Sequence, residues 1–385
     1  MPCSLRIGVN ALYLIPGGVG GTEIYLRNLL AALAEIDRLD EYYVFINAEA
    51  AEAKPALAPA TPNFHTVVCP LRAVHRPARL LWEQLALPVQ AAGRRLDVLF
   101  CPGYTSPLWS GARKVAVIHD LQHIRQPENF GRLERAAWRA LVWLSARFSR
   151  TIVTVSENSR REILEVYGVP GSRVRVVQHG VEPAFFSLQQ DPRLDRDLLG
   201  RAGLGEWPYL LSVSTIHAHK NWGRWLEAYG LLVGQGLPHH LVIAGIKGKY
   251  WEELARRVQA GGLSERVHVV GWAERSLLLA LFKFAQILVF PSTIEGFGLP
   301  VLEAMAAGVP VACSDIAPLR ELAGPAALYF DPHSPEAMAA AVQRLVSKPP
   351  LSAQLAEMGR QRAGEFTWMR SAQATLEALR EAAQD

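Results

Sequence analysis

The chain has 385 residues, half of them hydrophobic and a fifth charged, too many for one ordinary core, so two domains of similar size are expected. The net charge of only +4 gives no sign of a nucleic-acid partner, and the basic excess is confined to residues 1–186, which hold 21 Lys/Arg against 16 Asp/Glu. Cys3, Cys69, Cys101 and Cys313 lie far apart with no C-x-x-C pair, which argues against a disulfide framework or structural zinc and fits a cytoplasmic protein.

The opening "MPCSLRIGVNALYLIPGGVG" carries Arg6 within its apolar stretch and runs into glycines, so it reads as a first buried strand and not as a secretion signal. The segments "YYVFIN", "DVLFCPG", "KVAVIHD", "TIVTVS" and "RVRVVQHGV" follow as further short strands rich in β-branched residues, separated by helical patterns. Two of those patterns, "RAVHRPARLLWEQL" (Arg72 to Leu85) and "RLERAAWRALVWLSARFSR" (Arg132 to Arg150), interleave arginines with large apolar side chains. Such helices either rest on anionic lipid, with Arg72, Arg76, Arg79 and Trp82 as the strip in the first, or are ordinary amphipathic helices whose arginines face water. The polar, proline-containing stretch from Val181 to Gly203 reads as the linker. Beyond it "PYLLSVSTI", "HLVIAGI", "RVHVVGW", "AQILVFPS", "VPVACSD" and "ALYFDP" repeat the alternation of strand and helix, the pattern of parallel sheets covered by helices. The longest uncharged run, Ala228 to Ile246, is broken by glycines, Pro238 and two histidines, so no membrane-spanning helix is expected. Two doubly wound domains facing each other would bind ligand in a cleft at the carboxyl ends of their strands.

Residues able to do chemistry gather at those strand ends. His119 and Asp120 directly follow "VAVI"; Asp120 is equally a capping or core residue, whereas a histidine there is harder to explain by packing. His217, His219, Lys220 and Asn221 follow the first strand of the second half, and Lys220 at the mouth of a helix places positive charge beside unpaired amides, an arrangement that favours phosphate. In "IEGFGLPVLEAMAAGVP" Pro300 predicts a helix from about Leu299 to Ala307, stopped by Gly308 with Pro310 just beyond. The loop Glu295-Gly296-Phe297-Gly298 then precedes it, its glycines letting backbone amides up to Leu299 approach a ligand, with Glu303 one turn in. Amides for phosphate flanked by two carboxylates that accept from paired hydroxyls describe a sugar-nucleotide site. The base is expected at neighbouring strand ends, near Gly245, Gly271 and Trp272. The lone Asp-x-Asp, Asp195 and Asp197, stands among arginines and reads as solvated surface, so no metal site is expected.

"PSTIEGFGLPVLEAMAAGVPV" resembles the E-x7-E segment of the retaining glycosyltransferases of family 4, and the likeness extends along nearly the whole chain: "PGGVGGTEIYLRNLL", "VIHDLQH", "TVSENSRREILEVYGVP", "QHGVEP" and "FTWMRSAQATLEAL". The resemblance implies an α/β GT-B fold of two Rossmann-like domains. An acceptor domain would span residues 1–185, a linker 186–203 and a donor domain 204–365, with a helix over 366–385 crossing back to the first domain. By the same resemblance Glu303 matches the acid that holds the nucleotide's ribose, Glu295 the one on the donor sugar, Lys220 the phosphate lysine, His119 the histidine near the reacting centre and Gly18 the loop nearing the diphosphate. Two positions depart from the family pattern. His219 stands where arginine is common, so the second fixed positive charge is missing or supplied elsewhere; the ring either contacts phosphate when protonated or packs away while Lys220 and the amides suffice, and His179 replaces an asparagine.

The implied reaction is metal-independent, retaining transfer from a nucleoside-diphosphate sugar, with no cofactor, to a saccharide or lipid-linked saccharide. The wording of "HDLQH" and "EGFGLP" is most similar to branches that build bacterial surface polysaccharide, often from GDP-mannose, at the inner face of the plasma membrane. A nucleotide-sugar epimerase of the same architecture and a non-catalytic sugar-nucleotide binding protein are the competing readings. A nicotinamide dehydrogenase fits poorly, because Glu23 falls where the third glycine of G-x-G-x-x-G belongs.

Overall fold

Short runs of β-branched and aromatic residues form the strands of two parallel sheets, each in its own unit: Met1–Gly180 with Thr367–Asp385, and Val181–Phe366. The computed structural model describes residues 4–18, 20–126, 131–188 and 192–384; Cys3 and residues 189–191 of the expected linker lie outside them.

In the first unit β1 (Arg6–Asn10), β2 (Glu41–Ile46), β3 (Phe64–Val68), β4 (Val98–Cys101), β5 (Arg113–Val117), β6 (Thr151–Thr154) and β7 (Val174–Val176) lie in the order β3-β2-β1-β4-β5-β6-β7. Ile7 of β1 pairs with Tyr42 on one side and Val98 on the other, so the strand order reverses beside β1 and opens a crevice at the carboxyl ends of β1 and β4. Both faces of the sheet are covered, which is why its strands read as continuous apolar runs and not as alternating ones. One face packs on the helix Gly21–Ile36, through Leu26, Leu29 and Leu33, and on the last helix, Trp368–Gln384, through Ala372, Leu376 and Leu379. Arg380 of that last helix reaches Asp37 at 3.3 Å and Asp40 at 3.0 Å.

The helix Arg76–Gly93 covers the other face, with Leu87 and Ala91 against Leu99 and Cys101. Here the expected lipid-facing strip is corrected. Arg79 shares the inner stripe with Glu83, Leu87 and Ala91, at four-residue spacing, and is buried, and Trp82 is half-buried against the same core. Arg72 and Arg76 do face solvent, where Arg72 lies 3.6 Å from Glu52 and Arg76 2.8 Å from Glu134. The outward line of this helix is apolar instead: Leu81, Leu85 and Val89 are all exposed.

In the second unit β8 (Tyr209–Val213), β9 (His240–Ala244), β10 (Val267–Gly271), β11 (Ile287–Phe290), β12 (Val311–Ser314) and β13 (Ala327–Phe330) take the order β10-β9-β8-β11-β12-β13. The reversal falls between β8 and β11, where Leu210 pairs with Ile287. Trp222, Trp225 and Tyr229 of the helix Trp222–Gly234 pack with Leu241, Ile243 and Val289 as the core of one face.

The stretch read as a linker is largely structured: Ala184–Ser187 and Pro192–Arg201 are helices of the second unit. The Asp-x-Asp reading is corrected with it. Asp195 is fully buried and takes Lys283 Nζ at 2.6 Å, while Asp197 stays at the surface beside Arg201. Cys69, Cys101 and Cys313 are buried free thiols, and among the described residues no helix is long and apolar enough to cross a membrane.

Candidate functional site

The carboxyl ends of β8 and β11 bring together the second unit's candidate residues. After Phe290 the chain runs through a loop to the helix Leu299–Ala307, whose ends fall where Pro300 and Gly308 place them. Gly298 has φ +108°, and a Cβ there would come 2.6 Å from a Leu319 methyl, so the approach to the helix admits only glycine. No side chain caps this helix. Val301 and Leu302 donate to Gly298 O, but the amides of Gly298 and Leu299 have no acceptor among the described residues, and the positive end of the helix dipole is left for an anion. Phe297 is buried against Phe366, their ring centroids 6.1 Å apart, which fixes the loop carrying Gly296.

Glu295 and Lys220 meet across this site. Lys220 ends the turn Ala218–Lys220 that follows β8, and its Nζ donates to Glu295 Oε1 at 2.5 Å with both side chains largely buried. Glu303, one turn into the helix, is 5% exposed and forms no hydrogen bond or ion pair with a described residue. Burial pushes its carboxyl up to about 8, the positive charge of Arg275 opposing the rise and Glu182 adding to it. A carboxylate buried without donors is an acceptor in need of them.

His219 is the first of the two departures from the family pattern. Its ring is buried, stacked on His217 with centroids 5.8 Å apart, and burial followed by the nearby Lys220 charge pushes its pKa down to about 2. Without ligand the ring is therefore neutral. Its backbone does the structural work: the carbonyl accepts from Thr293 N at 3.0 Å and Thr293 Oγ1 at 3.2 Å, tying the β8 loop to the β11 loop.

Of the residues expected near a base, Gly245 donates its amide to Gly271 O at 2.7 Å and is covered by Ser214, whose carbonyl oxygen would lie 1.9 Å from a Cβ. Gly271 faces open space and Trp272 is 46% exposed, so these two form the open flank.

In the first unit the glycine loop before the helix Gly21–Ile36 is held by Glu23, whose Oε2 accepts from Gly17 N at 2.8 Å while Oε1 takes Arg27 at 2.8 Å. Gly18, exposed at the loop's tip, bonds back to Ile15 O at 2.8 Å. His119 follows β5 and is buried in a nest of rings: Tyr25 at 5.0 Å, Tyr104 at 5.3 Å and His179 at 5.6 Å between centroids. Its Nε2 lies 3.2 Å from Pro102 O, and since a carbonyl only accepts, Nε2 carries the proton and Nδ1 keeps its lone pair. Burial outweighs that hydrogen bond and lowers the ring's pKa to about 4, so His119 is neutral.

His179 was left without a role by the sequence. It packs on Tyr25 at 4.8 Å and Trp368 at 5.8 Å and is held neutral by burial and by His119. Neither Tyr25 nor His179 lies in a periodic pattern that marks a site; only their common approach to His119 reveals them.

Two family descriptions match the chain: Glycosyltransferase Family 4 over residues 19–185 and Glycosyl transferases group 1 over residues 203–362. The O-antigen chain mannosyltransferase B of Escherichia coli is 28% identical over 271 residues, 70% of each chain. The O-antigen chain mannosyltransferase RfbU of Salmonella typhimurium is 25% identical over 269 residues, 70% of this chain and 69% of its own. A sucrose-phosphate synthase from Thermosynechococcus elongatus superposes with a TM-score of 0.78 at 19% identity, covering 98% of both chains. Anabaena HepE, solved in complex with UDP and glucose, gives 0.76 at 20% identity over 98% of this chain and 100% of that one.

Proposed function

The chain belongs to the group-1 glycosyltransferases of family 4, with their GT-B fold, and on that premise we propose that it transfers mannose from GDP-mannose to a saccharide or lipid-linked saccharide with retention at the anomeric carbon. The mannosyltransferase relatives support the choice of sugar and a place in surface-polysaccharide synthesis. The observation that carries the reading is the grouping in the second unit of Lys220, an uncapped helix start at Gly298 and two acidic side chains, the largely buried Glu295 and the buried Glu303.

Each group then has a task. The bond from the anomeric carbon to the diphosphate breaks, a bond to the acceptor oxygen forms on the same face, and the acceptor's proton leaves with the diphosphate. Negative charge grows on the leaving group, and Lys220 with the first-turn amides of Gly298 and Leu299 supplies fixed stabilisation for it, without a cofactor. Lys220 is held by Glu295 until donor arrives. Exchange of that partner for phosphate frees Glu295 to accept from the sugar's hydroxyls, so one event orders both groups. Glu303 accepts from the ribose diol, and Gly271 with Trp272 flanks the base. On the acceptor side Gly18 lies in the loop that nears the diphosphate, and the unprotonated Nδ1 of neutral His119 accepts from a hydroxyl of the reacting sugar.

We further propose that the work is done at the cytoplasmic face of the membrane, a reading supported by the exposed line Leu81, Leu85 and Val89, which beside Arg72 and Arg76 would rest on anionic lipid. A thermal-shift screen of GDP, UDP and ADP tests the donor assignment. GDP at a hundred times its dissociation constant is expected to stabilise by about 2.7 kcal/mol. No shift with any of the three would overturn the site, and a shift with UDP alone would overturn the choice of GDP.

A further inference from the structure

Arg79 is the anomaly of the first unit. It lies in the first turn of the helix Arg76–Gly93 and is 7% exposed, yet its guanidinium makes no hydrogen bond with a described residue, and its Nε is sealed from solvent without an acceptor. Buried arginines are ordinarily paired, because an ion taken out of water without partners is costly. Glu83 stands four residues on, along the same buried stripe, but is engaged elsewhere. Its Oε2 accepts from Asn10 Nδ2 at 3.0 Å and Thr105 Oγ1 at 3.1 Å, and its Oε1 faces Gln84 Nε2 at 3.4 Å. No carboxylate oxygen of a described residue comes within the 4.0 Å of an ion pair with Arg79. Glu83 thus offsets the charge of Arg79 from a distance and leaves its terminal guanidinium nitrogens without an acceptor among the described residues.

The surroundings place this guanidinium at the reacting end of the sheet. Asn10 ends β1, Thr105 lies just beyond β4, and Tyr13, a near neighbour of Arg79, packs so closely on Gly103 that a Cβ there would meet the ring at 2.4 Å. Gly103 follows Pro102, the residue whose carbonyl holds His119. Arg79 therefore reaches the same β1 and β4 crevice whose other wall carries His119. The start of its own helix adds a positive dipole end. A planar fork of donors with no acceptor among the described residues, beside a helix start, suits a phosphate oxyanion.

We infer that Arg79 binds a phosphate-type group of the acceptor, so that the acceptor is anionic near its reacting hydroxyl. This rests on the glycosyltransferase reading, which assigns the donor to the second unit and leaves the first for the acceptor. The same chemistry arises from the diphosphate of a carrier lipid or from a phosphate borne on a sugar.

The test uses the full chain saturated with whichever of GDP, UDP or ADP stabilises it, so that the donor's own phosphate site is filled. Inorganic diphosphate and farnesyl diphosphate are then titrated by calorimetry into the wild type, Arg79→Gln and Arg79→Lys. Diphosphate is expected to bind the wild type, to bind Arg79→Gln about tenfold or more weakly, as loss of hydrogen bonds to a charged group implies, and to bind Arg79→Lys between the two. Tighter binding of farnesyl diphosphate than of inorganic diphosphate would assign the anion to a lipid carrier, and equal binding to a free or sugar-borne phosphate. Circular dichroism checks that the variants are folded, and the lysine variant keeps the test alive if the glutamine one is not. Absence of diphosphate binding to the wild type, or equal binding to all three proteins, overturns the assignment. Failure of every nucleotide to bind, with Arg79-dependent diphosphate binding intact, tells against the donor site and leaves the anion site standing.

Discussion

Glu303→Gln, measured across pH, isolates the carboxylate assigned to the ribose. Burial raises the folded pKa of Glu303 to about 8, whereas an unfolded glutamate titrates near ~4.3. Between those values the folded chain binds the proton more tightly than the unfolded one, so stability is fullest at or below the lower value. It falls as pH rises, by up to about 1.4 kcal/mol per unit until the folded pKa is reached. Ligand binding runs the other way. Two ribose hydroxyls donate to the ionised form, which makes up about 1% of Glu303 at pH 6 and about half at pH 8, a gain of about fiftyfold in competent protein. Nucleotide dissociation constants from calorimetry at intervals between those two pH values should therefore fall steeply in the wild type. The titration of the nucleotide's own phosphate is common to both proteins, so the difference in slope belongs to Glu303. Glu303→Gln should show the shallower slope, bind about 1.5–3 kcal/mol more weakly at pH 8, and lose the alkaline decline in unliganded thermal stability. Equal slopes in the two proteins would refute the ribose assignment.

His119→Ala should lower kcat by about 10–100-fold, the loss of a hydrogen bond made to the reacting sugar, with little change in the donor's dissociation constant; steady-state kinetics beside calorimetry checks the split. Lys220→Ala leaves Glu295 buried without its cation and should destabilise the unliganded protein by about 3–5 kcal/mol in urea titrations, a loss that Lys220→Ala with Glu295→Ala recovers in part. Liposome flotation should require anionic lipid and weaken with salt, and Leu85→Asp with Val89→Asp should abolish it; salt-independent flotation, or none by the wild type, would return that helix face to ordinary surface.

The strands were legible because parallel strands covered on both faces are apolar throughout, and the helix Leu299–Ala307 because proline and glycine punctuate its ends. Arg79 was misread because the helix Arg76–Gly93 carries apolar residues on both sides. The line of Leu81, Leu85 and Val89 competes with that of Leu87 and Ala91, and only the four-residue spacing of Arg79, Glu83 and Leu87 hints that the charged pair belongs inside. Asp195 was misread for a related reason: mixed charges suggest solvent, but its partner Lys283 is 88 residues distant in sequence and no local rule connects them. His219 and His179 are single substitutions in a familiar pattern, and their neutrality follows from burial that packing decides. Glu23, which in the sequence only spoils a dinucleotide motif, holds the glycine loop by a contact to Gly17 that spacing alone does not disclose.

The central claim is transfer with retention, and the product's anomeric configuration tests it most directly. Purified protein is incubated with GDP-α-mannose carrying carbon-13 at the anomeric position, with and without a lipid-linked saccharide acceptor, and followed by NMR. The expected result is GDP release that depends on acceptor, together with a product whose one-bond carbon–hydrogen coupling identifies an α-mannoside. A β-mannoside, or sugar nucleotide consumed at the same rate with no acceptor present, would contradict the account.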